Sequence, residues 1–223
     1  MQVAVLVLAA GRGERLGSRV PKAFVELGGK SLVERSLETL SRVPGVNRLV
    51  PVIPPGSEEL WAALGVSVPV TLADPVCGGA ERQDSVRLGL AELPVDTEWV
   101  AVHDAARCLV SEAEVEPVIR AAEETGAAIL ARPSADTLKI VRNDAVESTP
   151  DRATCWVAQT PQVFRVEVLR EALDKAEAEG FVGTDDAQLV ERLGVRVRVV
   201  PGSARNLKIT TADDLRIAEA LLR

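Results

Sequence analysis

Histidine and cysteine are nearly absent from this chain, and their scarcity removes two kinds of site at the outset. His103 is the sole histidine, and Cys77, Cys108 and Cys155 are odd in number and far apart. Such a set supports neither a disulfide framework nor a zinc site, so the cysteines read as packing residues. Long apolar runs are missing as well: none approaches the roughly 20 residues a membrane helix requires. The first residues lack the positive region of a secretory signal, so Val3 to Ala10 is expected to remain as structure and the protein to be cytoplasmic, with no membrane partner. Positive charge is also in deficit. A formal net charge of −7 argues against nucleic acid, which selects a basic face. With 223 residues, 47% hydrophobic and 26% charged, the chain has the composition of one α/β domain with one core.

Against this acidic background the stretch from Val3 to Lys22, VAVLVLAAGRGERLGSRVPK, is locally basic. Val3 to Leu8 is an unbroken apolar run rich in β-branched valine, the signature of a strand buried on both faces of a parallel sheet. Gly11 and Gly13 then let main-chain N–H groups approach a ligand, while Arg12, Arg15, Arg19 and Lys22 face one acid, Glu14. This pattern points at a polyphosphate. Two familiar motifs are absent. A dinucleotide fingerprint would need glycine at position 16, which is Leu16, and a P-loop ending in Gly29-Lys30-Ser31 would need glycine at position 24, which is Phe24. What remains, AAGRGERLGSRVPKAF, resembles the nucleotidyltransferase signature in which a loop after the first strand wraps a nucleoside triphosphate and a Pro-Lys pair closes it.

Further along, strand and helix signals alternate. Ser31-Leu-Val-Glu34 has the form of a capping box, with Leu32, Val33, Leu37 and Leu40 at helical spacing up to Pro44-Gly45. Strands are expected over Asn47 to Ile53 and Val68 to Leu72, with a weakly amphipathic helix containing Trp61 between them. Gly78-Gly79 opens a second loop before a helix, in GGAERQDSVRLGL. A strand over Trp99 to His103 ends in Asp104-Ala-Ala-Arg107, an acid and a base at the carboxyl end of a sheet strand, where open α/β sheets bind ligands. A helix begins after Ser111, and Ala127 to Ala131 returns as a strand. From Ser134 to Gln159 the helical rhythm stops. DTLKIVR and TCWVAQ alternate like strands around a turn at Arg142-Asn143-Asp144, which predicts a β arm. Helices follow over Arg165 to Gly180 and from Thr184-Asp185-Asp186 to Leu193, then a strand over Val195 to Val200. The closing helix starts at Thr211-Ala-Asp-Asp214, with Leu215, Ile217, Ala218, Leu221 and Leu222 as its packing face.

Together AAGRGERLGSRVPK, GGAERQDSV, VHDAAR, ADTLK, DRATCWVAQTPQVF and PGSARNLKITTADDL resemble the 2-C-methyl-D-erythritol 4-phosphate cytidylyltransferases of non-mevalonate isoprenoid synthesis, almost end to end. The resemblance implies a Rossmann-like nucleotidyltransferase α/β fold, a mostly parallel sheet flanked by helices with a protruding β arm at about 134–159. It implies that Ala9, Ala10, Gly11, Arg12 and Gly13 hold the CTP phosphates, with Arg15 and Lys22 stabilising the transition state. Gly79, Ala80 and Ser85 would face the cytosine; Asp104, Ala105 and Arg107 would serve the ribose and the second substrate. Thr137, Arg152, Thr160 and Lys208 would complete the erythritol-phosphate pocket, Lys208 also reaching the nucleotide phosphates. The arm would exchange between subunits of a homodimer, so that Arg152 acts in trans. Mg²⁺, or another divalent cation, would be held mainly by CTP phosphates. His103 reads as structural, because an ionised phosphate nucleophile needs no general base. The chain departs from the family pattern at Ala80, where an acid is frequent, and at Cys108, where proline is usual. A cytidylyltransferase for another polyol phosphate, such as ribitol phosphate, would share nearly all these motifs. A non-catalytic nucleotide-binding module would be expected to lack Arg15 or Lys22.

Overall fold

The computed structural model describes residues 1–11 and 20–222. The apolar run forms β1 (Val3–Leu8). Its side chains alternate between two cores: Val3, Val5 and Val7 enter one, Ala4 and Leu6 the other. A strand buried on both faces needs no polar alternation, which is why it reads as continuous apolar sequence.

After a 3₁₀ turn at Lys22–Phe24, β2 (Glu26–Leu27) and β3 (Lys30–Ser31) make a short ladder that ends in α1 (Leu32–Leu40). The Ser31 hydroxyl accepts from the Glu34 N–H at 3.3 Å and the Glu34 carboxylate accepts from the Ser31 N–H at 2.8 Å, the reciprocal cap expected from the sequence. There follow β4 (Val46–Ile53), α2 (Glu58–Leu64), β5 (Thr71–Leu72), β6 (Val76–Cys77), α3 (Arg82–Ala91), β7 (Trp99–Asp104) and α4 (Glu112–Thr125). The second half contributes β8 (Ala127–Pro133), β9 (Ile140–Arg142), β10 (Ala145–Ser148), β11 (Trp156–Arg165), α5 (Val166–Ala178), α6 (Asp186–Glu191), β12 (Arg198–Pro201) and α7 (Ala212–Leu221).

The main sheet has the order β12-β8-β11-β7-β1-β4-β5, with β6 beside β4. Every neighbouring pair is parallel except those made by β11, which runs antiparallel to both β7 and β8. Leu37, Val115 and Val118 from α1 and α4 cover one face; Val86, Leu169 and Leu189 from α3, α5 and α6 cover the other. Each fully buried leucine or valine of this kind contributes roughly 1.5–3 kcal/mol, so the two layers hold the sheet rigid between them. The chain leaves β1 toward β4 and later returns through β7 on the opposite side of β1. That reversal opens a crevice at the carboxyl ends of β1 and β7.

Several expectations needed correction. The strand expected over Val68 to Leu72 shrinks to Thr71–Leu72, and an unforeseen pair at Val76–Cys77 extends the edge. The arm expected over 134–159 is narrower: its hairpin is β9 with β10, turned at Asn143 (φ 48°) and Asp144 (φ 61°). Both turn residues lie in the left-handed region, as a two-residue primed turn requires. The TCWVAQ segment does not pair within the arm. It enters β11, with Trp156 opposite Pro133 and Ala158 opposite Ala131 in the main sheet. The closing helix buries Ala218 but leaves Ile217 half-exposed, so its packing face is smaller than the sequence suggested.

Candidate active site

Leu8, the last residue of β1, pairs in register with Asp104, the last residue of β7. The first loop therefore begins beside the HDAAR turn, as expected from parallel neighbours. A cavity of about 220 Å³ occupies this crevice. Ala9, Ala10 and Gly11 line it from the end of β1, Gly79, Ala80 and Ser85 from the second glycine loop and α3, and Ala105 from the turn after β7. Lys22 and Lys208 add cations to the same wall. Arg12, Gly13 and Arg15 lie outside the described residues.

The second glycine loop is held against the first by close backbone approach. A Cβ at Gly78 would stand 2.3 Å from the Ala10 Cβ and 2.8 Å from the Ser85 Oγ. Ser85 Oγ accepts from the Gly79 N–H at 3.1 Å and donates to the Glu81 carbonyl at 3.3 Å. Ser85 thus shapes the loop as well as lining the cavity.

A second cavity of about 190 Å³ shares Arg82, Asp104 and Lys208 with the first and adds Arg107, Thr160 and Asp185. Asp104 is the common post. Lys208 Nζ lies 2.8 Å from its Oδ2, Arg82 Nη2 3.4 Å from its Oδ1 and Arg107 Nε 3.8 Å from its Oδ2. Burial alone would raise this carboxyl, but Arg82, Lys208 and Arg107 outweigh it and hold Asp104 well below the usual carboxylate range. Its backbone N–H donates to Thr160 Oγ1 at 3.0 Å.

Thr160 also meets His103 Nδ1 at 3.2 Å. Burial pulls the His103 pKa down to about 4, so at neutral pH the ring is uncharged and serves the Thr160 hydroxyl. Arg107 donates through Nη1 to the Asn206 carbonyl at 2.8 Å and through Nη2 to the Ala158 carbonyl at 3.1 Å. Gln159 Nε2 grips the Ser203 and Asn206 carbonyls at 2.9 and 3.1 Å, and Asn206 Nδ2 donates to the Thr160 carbonyl at 2.9 Å. These bonds clip the NLKIT segment to β11 and bring Lys208 to Asp104.

Thr137 and Arg152 are exposed on the arm side and line neither cavity within this chain; Arg152 Nη1 donates to the Ala135 carbonyl at 3.3 Å. Arg82, Asp186, Gln159 and Asn206 were not among the residues assigned from sequence. Arg82 stood in the GGAERQDSV motif, Gln159 in QTPQ and Asn206 in NLKIT, but no local spacing ties them to Asp104. Among the described residues no group of three or more His, Cys, Asp or Glu side chains could hold a metal ion, and the oxygens of Asp104 already face cations. Among the described residues the donor set around Asp104 fits a divalent cation carried on ligand phosphates. What the arrangement can do is bind two anionic ligands side by side and hold them against fixed positive charge.

Comparison with known proteins agrees with this geometry. The model of the IspD family, 2-C-methyl-D-erythritol 4-phosphate cytidylyltransferase, matches residues 3–223. The 2-C-methyl-D-erythritol 4-phosphate cytidylyltransferase of Syntrophotalea carbinolica is 43% identical over 100% of this chain and 97% of its own length. That of Symbiobacterium thermophilum is 45% identical over 99% of this chain and 92% of its own. Among solved structures, 4-diphosphocytidyl-2C-methyl-D-erythritolsynthase from Anaerococcus prevotii superposes with a TM-score of 0.89 at 32% identity, covering 99% of this chain and 96% of that one. The Thermus thermophilus cytidylyltransferase gives 0.79 at 36%, covering 99% and 98%. With a sheet reversal that places two joined, cation-lined cavities around Asp104 and a family match from residue 3 to residue 223, the chain belongs to the 2-C-methyl-D-erythritol 4-phosphate cytidylyltransferase family of nucleotidyltransferase enzymes.

Proposed function

We propose that the chain transfers a cytidylyl group from CTP to 2-C-methyl-D-erythritol 4-phosphate, releasing pyrophosphate, with CTP in the cavity at the carboxyl end of β1 and the polyol phosphate in the adjoining one. The observation that carries this reading is the wall shared by the two cavities: Asp104, Arg82 and Lys208 line both. A substrate phosphate oxygen attacks the α-phosphorus of CTP, a new P–O bond forms through a five-coordinate transition state, and the bond to the pyrophosphate oxygen breaks. Two anions must meet for this. Repulsion between unit charges is roughly 4 kcal/mol at about 4 Å for an effective dielectric of ~20, so fixed cations lower the barrier without a covalent intermediate.

The roles are those the family resemblance implies, and the cavity lining supports them for Ala9 to Gly11, Lys22, Gly79, Ala80, Ser85, Asp104, Arg107, Thr160 and Lys208. Lys22 stabilises charge on the phosphorus with Arg15; Ala9 to Gly13 hold the phosphates through main-chain N–H groups; Gly79, Ala80 and Ser85 take the base. Asp104, Arg107 and Thr160 orient the acceptor, and Lys208 reaches both anions. A divalent cation, Mg²⁺ being the natural choice, supplies further neutralisation when bound to the phosphates.

The described helices include none long and apolar enough to cross a membrane, and we place the protein in the cytoplasm as one domain. Leu138, Ile140, Val141, Val146 and Trp156 of the arm region are each at least 40% exposed. A lone two-stranded hairpin is only marginally stable in water. Its cover in this reading is the same arm of a second copy, which carries Thr137 and Arg152 to the neighbouring site.

The test of the reaction is pyrophosphate release from purified protein with CTP, Mg²⁺ and, in separate runs, methylerythritol phosphate or ribitol phosphate. Release with methylerythritol phosphate is expected. Release only with ribitol phosphate would change the acceptor, and no release with either would refute the enzymatic reading.

A further inference from the structure

Arg82 lies outside the roles given above, yet it is paired with two carboxylates in the site. It opens α3, faces both cavities and forks between two carboxylates: Nη1 is 2.5 Å from Asp186 Oδ2, and Nη2 is 3.4 Å from Asp104 Oδ1. Asp186, at the start of α6, has a side chain only 1% exposed. Lys208 is held differently. Its side chain is 42% exposed and its one ion pair among the described residues is with Asp104 Oδ2 at 2.8 Å.

The two oxygens of Asp104 are therefore served by cations of unlike freedom. Oδ1 has Arg82; Oδ2 has Lys208 and, more distantly, Arg107 at 3.8 Å. When phosphates enter, an exposed ammonium on a flexible stem follows the larger negative charge, and the Oδ2 side of Asp104 loses its near partner. Arg82 cannot follow in the same way, because the Asp186 carboxylate behind it is buried and would be left unpaired. Arg107 is likewise tethered by the Asn206 and Ala158 carbonyls.

We propose that Arg82, clamped from behind by Asp186, is a positioning residue that keeps Asp104 oriented toward the acceptor while Lys208 exchanges its carboxylate partner for substrate phosphate. The inference rests on the two-cavity reading of the reaction and assigns a role to the Thr184-Asp185-Asp186 segment beyond capping α6. The α5 to α6 connection is built to hold this clamp. Gln162 Nε2 donates to Asp185 Oδ2 at 2.8 Å, its Oε1 accepts from the Ala187 N–H at 3.0 Å, and Gln83 bonds the Phe181 carbonyl and the Gly183 N–H at 3.1 and 3.2 Å.

Arg82→Lys is the informative variant. An ammonium keeps the charge opposite Asp186, so the fold survives, but a point charge does not reproduce the planar fork to both carboxylates. The expected result is a loss of about 10–100-fold in kcat/KM for the polyol phosphate, with CTP affinity measured by calorimetry changed by less than about threefold. The same substitution is then made in an Asp104→Asn background. If Arg82 works through Asp104, the second loss shrinks to within about twofold of none. An equal loss in both backgrounds, or a loss confined to CTP affinity, would overturn the proposal. Should Arg82→Lys lower the melting temperature sharply, Arg82→Met combined with Asp186→Leu removes the buried charges together and supplies the same comparison in a charge-neutral clamp. A double variant with wild-type acceptor kcat/KM would also overturn it. Because wild-type protein is assayed alongside for pyrophosphate release, failure of the reaction itself is separable from failure of this role.

Discussion

Replacing Gly78 with alanine should drive the two glycine loops apart. The new Cβ would lie 2.3 Å from the Ala10 Cβ and 2.8 Å from Ser85 Oγ. Ordinary carbon contacts are about 3.5–4.0 Å, so the Ala10 contact must open by roughly 1.2 Å or more. Ala10 has no rotamer with which to yield, and moving it moves the first loop. Ser85 can rotate, but only by giving up the Gly79 N–H bond at 3.1 Å. Overpacking of this size costs about 1–3 kcal/mol, which in a chain of this length lowers Tm by roughly 2–12 °C. A displacement of about 1 Å at a positioning element can cost up to ~10²-fold in rate, so kcat/KM for CTP should fall by one to two orders of magnitude. The assay is initial-rate pyrophosphate release against CTP concentration, with thermal unfolding of the same samples. Adding Ala10→Gly removes the worse contact and should restore part of both Tm and kcat/KM, a coupling that independent sites would not show. Wild-type constants in Gly78→Ala, or no recovery in the double variant, would refute the steric argument.

Other outcomes follow from the same site. Lys22→Ala and Arg15→Ala should each lower kcat by about 10²–10³ while weakening CTP binding far less, since their charge matters most as it builds on phosphorus; unchanged kcat with raised KM would reassign either residue to ground-state binding. His103 has its folded pKa pulled down to about 4 by burial, below the ordinary histidine value. The unfolded chain therefore binds the extra proton first, and stability that is full above about pH 6.5 should decline toward pH 4.5. Because His103 is the only histidine, His103→Gln should flatten this slope in urea unfolding; an unchanged slope would place its cause elsewhere. Mixing Arg152→Ala with Arg15→Ala subunits should restore activity if the arm acts across a dimer, and a monomer by light scattering or an inactive confirmed heterodimer would reject the shared site.

What the sequence determined by itself was set by interactions within one turn or one strand. The run Val3 to Leu8 is apolar at every position and so had to be a strand buried on both faces. Ser31 with Glu34 and Thr211 with Asp214 close reciprocal caps across three residues, and both helices begin where those pairs stand. Asn143-Asp144 is a turn because its residues tolerate positive φ. Tertiary structure decided the rest. The adjacency of the first loop to the HDAAR turn followed only once the sheet made β1 and β7 parallel neighbours. Gln159 to Phe164 is buried at every position, so it lacks the alternation that marks a half-exposed strand; only its two neighbours, β7 and β8, make it part of β11. Arg82, Asp104 and Asp186 stand 22 residues apart for the first pair and 104 for the outer pair. No periodicity extends over such separations, and a buried charge chooses its partner by the space the packed elements leave. Their meeting is a property of the folded sheet and its two helical layers.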